Sequence, residues 1–388
     1  MRTTLRTARS PAELEELREP WQQLQGRHVT TDPDVFPALL ESDERALRPH
    51  AILLEHDGRP RALVLARVEA LTLATRIGYR VVYSPEVRAL TVVYGGVLGK
   101  VDDHDAAILL GELRGELAAG EADLMRLRGL EVGTPLHAAA SAAGSRALRE
   151  RSAPTTAHWE LDVPDSDDAF LQSLSKSTRD GAKRYARKLE QQYGDRLELE
   201  ILGDVADAER IFRDLPRVAA NTYQQQLGVA FGQTEAQRRL TRELLERGWF
   251  RAYVLYLDGE PVAFWHGHAY GGVFSTGVPG FDRSLAELRV GNYVLLKLIR
   301  DLCADPSIHT LDYGFGDAEY KRRFGTRSRF EQDVHLFAPS FKGLRTNIVR
   351  SGLLAGTNGG RRLLERSDAL DRIKRGWRER LSRGGGGS

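Results

Sequence analysis

The chain has 388 residues, long enough for two hydrophobic cores of ordinary size rather than one. Hydrophobic residues make up 41%, charged residues 28%, and the formal net charge is +2, an ordinary globular composition that leaves any basic feature to be local. The opening "MRTTLRTARSPAELEEL" has no apolar segment of the kind that leads secretion, no stretch is long and apolar enough to span a membrane, and Cys303 is the only cysteine. A thiolate zinc cluster and an intrachain disulfide are thereby excluded, and a soluble cytoplasmic protein is expected.

In chain order, "TTLRTA" reads as a strand and "SPAELEELREPWQQL" as an amphipathic helix, with Ser10 and Glu13 in capping-box spacing. Next, "AILLEH" at 51 runs into Asp57-Gly58 and a second strand, a hairpin whose turn needs positive φ. A strand "ALTVVYGGVLGKV", a helix "DAAILLGELRGELAA" and a strand leading into a helix, "ADLMRLRGLEVGTPLHAAA", follow.

The same order then recurs. "LELEILGDVADAERIFRDLPRVA" is a strand and helix with Asp204 as candidate cap, and "AYVLYL" at 252 runs into Asp258-Gly259 and a second strand. "GGVFSTGVPGF", "GNYVLLKLIRDLCA" and "IHTLDYGFGDAEYKRRFG" complete it. Two copies of one mixed α/β unit are the expectation: 1–152, a degenerate copy, and 153–340, the copy that keeps the chemistry. A basic helical tail over 341–383 and a glycine-rich linker or scar at 384–388 follow.

The copies differ where a ligand would sit. The first begins its helix with Asp102, Asp103 and Asp105, which cap it and repel anions. The second places Arg289, Gly291 and Asn292 at the helix start, where free N–H groups and the helix dipole favour a phosphate. In "LDYGFGDAEYKRRFG", Gly314 and Gly316 allow a turn to pass close to a ligand, and Asp317, Glu319, Tyr320 and Lys321 bring a base, an acid and a cation into one helical turn. An ordinary helix start, acids first and bases after, also accounts for Asp317, Arg322 and Arg323.

The stretch from "FLQSLSKSTRDGAKRYARKLEQQYG" to "LDYGFGDAEYKRRFG" resembles the cellulose-biosynthesis-like branch of the GNAT acetyltransferase superfamily and, more distantly, the Fem-type peptidoglycan aminoacyltransferases. The resemblance covers roughly residues 168 to 337 and rests on Asp312, Gly314, Gly316, Tyr320, Lys321, Phe324 and Gly325. It implies tandem GNAT-like α/β domains with mixed α+β sheets, the doubled hairpin being the central strand pair of each. It also implies that "ELRVGNY" meets a coenzyme A pyrophosphate, although only Gly291 of the usual glycines is present. By the same resemblance Lys321 handles the reaction centre, and Arg179, Lys183 and Arg187 correspond to an Arg-rich segment.

Those three recur at i, i+4 and i+8, a single helix face fit to grip phosphates, and a cationic stripe is equally the solvated face of a helix. His266 and His268 share one strand face beside the cleft, but no third ligand accompanies them, so no metal is expected. Walker A, dinucleotide and nucleophile-elbow motifs do not occur. In the tail, Leu363, Leu364, Leu370, Ile373 and Trp377 have amphipathic spacing; packing back on the domain is the default, with RNA, a partner or peripheral contact with an anionic membrane as alternatives.

The expected activity is N-acyl transfer from acyl-CoA to an amine of a small molecule or peptide, with no metal. Asp317 or Glu319 would be base, the backbone of 274–277 the oxyanion donor, Tyr320 the acid and Lys321 an electrostatic stabiliser. The alternatives are aminoacyl-tRNA as donor, with tRNA as partner, and a catalytically inactive GNAT-like binding protein.

Overall fold

The computed structural model describes residues 2–77, 80–145, 147–150, 153–220, 231–232 and 234–365, with the side chains of the last helix described to residue 355. The first unit runs β1 (Thr3–Ala8), α1 (Pro11–Glu15), α2 (Arg18–Gln23), α3 (Val35–Ser42), β2 (Ala46–His56), β3 (Arg59–Thr72), a short hairpin β4 (Thr75–Ile77) and β5 (Arg80–Tyr83), β6 (Glu86–Gly99), α4 (Asp103–Ala118), β7 (Leu124–Glu131) and α5 (Pro135–Ala142). The second runs β8 (Thr155–Asp162), α6 (Asp167–Ser173), α7 (Lys176–Tyr193), β9 (Leu197–Leu202), α8 (Ala208–Ala220), α9 (Glu235–Glu246), β10 (Phe250–Leu257), β11 (Glu260–Tyr270), β12 (Val273–Thr276), β13 (Gly280–Phe281), α10 (Val290–Ala304), β14 (Thr310–Phe315) and α11 (Glu319–Phe324). Strand β15 (Arg327–Phe337) and helix α12 (Phe341–Glu365) close the described chain.

The repeat read from the sequence is real in the backbone. Asp57 and Gly58 have φ of 49° and 76°, and Asp258 and Gly259 have 53° and 78°, the left-handed pair that matches the twist of a tight hairpin. Each hairpin carries a register shift at the same place, between Leu54 and Glu55 and between Leu255 and Tyr256. Each first strand is flanked antiparallel by an earlier strand of its unit, β1 beside β2 and β9 beside β10. The buried runs of β2 and β10 are apolar on both faces because helices cover both. In the second unit Tyr253 and Leu255 meet Leu295, Leu298 and Ile299 of α10, while Val254 and Phe250 meet Ile211, Leu215 and Leu244 of α8 and α9.

Among the described residues the two units form one sheet in the order β1-β2-β3-β6-β7-β15-β8-β14-β12-β11-β10-β9, with β13 beside β11. The join is a reciprocal exchange. Strand β8, next in sequence after the first unit, pairs with β14 of the second, whereas β15, next after the second, pairs with β7 of the first. Strands β8 and β15 then pair with each other from Arg327 opposite Glu160 to Gln332 opposite Thr155. Val334, Leu336 and Ala338 accordingly sit in the core of the first unit, and Val29 and Val35 in that of the second.

Both units split at the same point. Strand β6 pairs parallel with β7 over Ala89–Val92 and then follows β3, while β7 follows β15. Strand β12 pairs parallel with β14 over Val273–Ser275 and then leaves it, Gly277 donating to the His266 carbonyl and Phe281 pairing with Ala263. The capping boxes of Ser10 with Glu13, and of Asp204 with Asp207, are formed. In the tail, Asn347 and Arg350 of α12 bond to Ala147, Glu150 and Thr75, so its first turns rest on the first unit. Leu370, Ile373 and Trp377 lie outside the described residues, as do the side chains of Leu363 and Leu364.

Candidate active site

Two cavities stand out, one at the start of α10 and one where β6 and β7 part. On one side of the sheet the start of α10 opens into a depression with two lobes of about 290 and 310 Å³. Arg289, Asn292 and Arg323 line both lobes; Thr178, Gly181, Arg184 and Tyr185 of α7 wall one, and Gly291 and Tyr320 the other. Arg289 has φ 55°, a left-handed conformation that costs a non-glycine residue roughly 1–2 kcal/mol, and its guanidinium lies 4.2 Å over the Tyr185 ring. No side chain caps α10. Among the described residues Arg184 and Arg289 have no carboxylate partner, so their charge faces the depression.

Arg289, Gly291 and Asn292, picked out in the sequence, line the depression, whereas Arg179, Lys183 and Arg187 do not. The Arg179 guanidinium donates to the Leu171 carbonyl at 3.3 Å, and Lys183 and Arg187 point to solvent. Arg184, one residue off that stripe, lines the depression instead.

The glycine turn after β14 is self-satisfied. Gly314 and Gly316 have φ of 67° and 98°, which requires glycine, yet the Gly314 amide donates to the Asp312 carboxylate at 2.7 Å and the Gly316 amide to the Ala157 carbonyl at 2.9 Å. Neither is free for a cofactor. Asp317 is in an exposed ion pair with Arg322 at 2.6 Å, and Glu319 pairs with Arg323 on the rim, so both carboxylates are closed off by their own helix. Gly277 of the expected oxyanion backbone has already given its amide to His266.

Lys321 turns inward. Its Nζ donates to the Gly314 carbonyl at 3.0 Å and to that of Phe315, pinning the turn, and burial lowers its pKa to about 8. Tyr320 stays in the depression, its ring edge-on to Trp265 and Tyr313, with burial raising its pKa to about 12.

On the other side of the sheet lies a cleft of about 1080 Å³ between the units, opening where β6 and β7 part. Arg27, His28, Tyr94, Arg128, Arg329 and Glu331 stand in its walls. Behind them Asp312 bonds His158 Nε2 at 2.6 Å, and His158 Nδ1 lies 3.3 Å from the Tyr94 hydroxyl. The same hydroxyl lies 3.4 Å from Glu331, and Phe315 closes edge-on over Tyr94 and His158. Burial would raise the Asp312 pKa, but the His158 bond and charge and the Gly314 amide overcome it and hold the carboxyl below its ordinary range. An ionised Asp312 orients the ring through Nε2, which leaves Nδ1 facing the Tyr94 hydroxyl, itself a donor to Glu331.

His158, Glu160 and Asp312 present ligand atoms within 4.8 Å of one another, the spacing of a metal site. The chemistry around Glu160 argues otherwise. Arg27, Arg327 and Arg329 all donate to it, and although burial opposes ionisation their bonds depress its pKa to about 2. Three guanidiniums occupy the lone pairs that an ion would need.

The histidine pair divides. His266 is wedged among Phe231, Phe250 and Phe264, and burial lowers its pKa to about 3, which makes it a core ring. His268, on the same face two residues on and lowered to about 4 by burial, is opposite Ser275, which is itself opposite Asp312. His158, Tyr94, Glu331, Arg128 and Arg184 were not picked out from the sequence. The signal present was the polar alternation of "HWELD" and "RSRFEQD", which turns His158 and Glu160, and Arg327, Arg329 and Glu331, onto one face of adjacent strands.

Residues 176–322 match the family model of an acetyltransferase (GNAT) domain. A tandem GNAT protein from the clavulanic acid biosynthesis pathway is 12% identical, with 87% of this chain and 99% of that one covered at a TM-score of 0.53. FemX is 11% identical over 77% and 94% of the two chains at 0.50, and a conserved protein of unknown function from Bacteroides thetaiotaomicron VPI-5482 is 13% identical over 84% and 97%, also at 0.50. No curated protein sequence matches. Residues 176–322 are thus similar to a GNAT acetyltransferase domain, and the chain shares its fold with the tandem GNAT protein and with FemX. No helix among the described residues is long and apolar enough to cross a membrane.

Proposed function

We propose that the protein transfers an acyl group from acyl-CoA to an amine, the donor entering at α10 and the acceptor from the cleft between the units. The observation that carries this reading is the start of α10, where Arg289 and Arg184 line a depression at a helix N-terminus that no side chain caps. A helix N-terminus with unpaired guanidiniums suits a diphosphate, and the split between β12 and β14 gives a thin pantetheine-like arm a way toward Asp312, the last residue at which the strands pair.

In the reaction the amine nitrogen attacks the thioester carbonyl, the C–S bond breaks, and the proton lost by nitrogen balances the departing thiolate, leaving an amide and a free thiol. When the Tyr94 hydroxyl turns its proton from Glu331 toward a neutral His158, its oxygen lone pairs can take the one from nitrogen, with Asp312 stabilising the charge that arrives on the imidazole. Burial raises the Tyr94 pKa, which keeps the phenol neutral and able to act in both directions.

Calorimetric titration with acetyl-CoA tests the donor. Binding that Arg289→Glu and Arg184→Glu each weaken supports the reading; no binding at low salt refutes it.

Aminoacyl-tRNA is a second donor reading, favoured by the solvated face of α7, where Lys183, Arg187 and Lys188 remain in water. It predicts binding that weakens steeply with salt, because many phosphates shed counterions.

A further inference from the structure

We infer that the acceptor held in the cleft between the units carries a carboxylate as well as its reacting amine, an inference that rests on the acyltransferase reading above. Two groups in the cleft wall lack partners, and they have opposite charge. Arg128, on β7, lines the cleft, yet makes no hydrogen bond or ion pair among the described residues. The residue is exposed to water, and partial burial and the nearby Arg126 lower its pKa. A planar fork in that position matches a carboxylate.

Glu331 is the counterpart. Its side chain is 3% exposed, and one oxygen takes Arg329 at 2.6 Å with Tyr94 at 3.4 Å, while Oε2 is buried without any partner. An orphaned carboxylate oxygen is destabilising unless a donor reaches it, and a donor beside the Tyr94 hydroxyl is what the acceptor's ammonium brings on binding, before it gives up a proton and attacks as the amine. Gly129 keeps the slot open: at φ 58° a Cβ there would meet the Tyr94 ring at 2.5 Å and stand 3.2 Å from that same oxygen.

Two other cations of the cleft, Arg27 and Arg329, are committed to Glu160, leaving Arg128 and the exposed Lys100 to the ligand. Glu331 and Arg128 thus read the two ends of a zwitterion, an amino acid or the termini of a short peptide, and the volume of about 1080 Å³ exceeds what a single amino acid fills.

Trialanine, trialanine amide and N-acetyl-trialanine separate the two charges. Saturation-transfer NMR without donor gives their relative affinities, and release of free thiol from acetyl-CoA is followed in the same samples. Trialanine is expected to bind about 10-fold more tightly than either single-charge analogue, the loss of one charge-assisted bond. Arg128→Gln, at a side chain that holds nothing in place, should bring trialanine down to its amide, and Glu331→Gln, which keeps the shape, should bring it down to the N-acetyl form. Amide binding as tight as acid in the unaltered protein, a preference that survives Arg128→Gln, or no binding of any of the three overturns the inference. Thiol release to the amide as fast as to the acid overturns it too while leaving acyl transfer intact. Preferential binding of the acid with no thiol release in any sample upholds the inference and refutes acyl transfer.

Discussion

The two units split their sheets at the same point and put opposite charge at the helix that follows. Helix α4 closes on itself: Asp102 accepts from the Asp105 amide at 2.9 Å, and Asp105 is fully buried under His56 and Arg61. Helix α10 has no side-chain cap and is entered through Arg289 in a strained conformation. A fold copied within one chain has diverged at the few residues that decide whether a helix start serves itself or a ligand. The first unit, its anion site cancelled by aspartates, still contributes its open split as the larger cavity.

The sharpest way to break that division is to disable the polar chain behind the cleft. Asp312→Asn keeps the volume at position 312 but removes the charge that orients the His158 ring. Its kcat should fall on the order of 100-fold or more with acetyl-CoA affinity unchanged, and Tyr94→Phe should follow the same pattern. A kcat within threefold of the unaltered protein in both variants would reduce the chain to a structural lock.

Next in size is the junction itself. Glu160→Gln leaves three arginines around a neutral amide and should destabilise the protein by about 3 kcal/mol, near the low end for a broken buried pair because the arginines keep some solvent. Glu160 is depressed to about 2 from an ordinary 4.5, so its contribution is complete above about pH 4.5 and is lost as pH falls toward 2. Thermal melts between pH 7 and 3 should show a flatter acid limb for the variant.

At the donor entrance, Arg289→Glu should weaken acetyl-CoA about tenfold or more by calorimetry, since it removes one charge-assisted contact and adds repulsion. Asp103→Ala at the matching start of α4 should leave that affinity alone. Equal losses in both would mean that the units share the donor.

What was legible in the sequence was local. Asp-Gly turns, the Ser10–Glu13 box and the order of strands and helices depend on neighbours a few residues apart, and all of them stand in the structure. The helix start at Arg289, Gly291 and Asn292 was legible for the same reason. Asp317 and Glu319 were read as free acids because the sequence does not show that Arg322 and Arg323, five and four residues on, close over them. Asp312 was visible within its motif, but His158 lies 154 residues away and reaches it only because β8 and β15 change places between units. Strand pairing at that range leaves no short-range trace beyond the alternation of polar residues.

The smallest effect discriminates the donors. Lys183 and Arg187 are in solvent on α7, outside the walls of the depression. If the donor is acyl-CoA, charge reversal at both positions acts only through screened water, and affinity should move by no more than about 0.5 kcal/mol, roughly twofold. If the donor is a tRNA, the same two side chains are phosphate contacts; Lys183→Glu with Arg187→Glu should then lower the slope of log affinity against log salt by nearly two and cut binding several-fold at low salt. Helix α7 thus carries both hypotheses on adjoining flanks: Arg184 lines the depression, and Lys183 and Arg187 stand in water beyond it. Comparing Arg184→Glu with the double variant in the same titration reports which flank meets the donor.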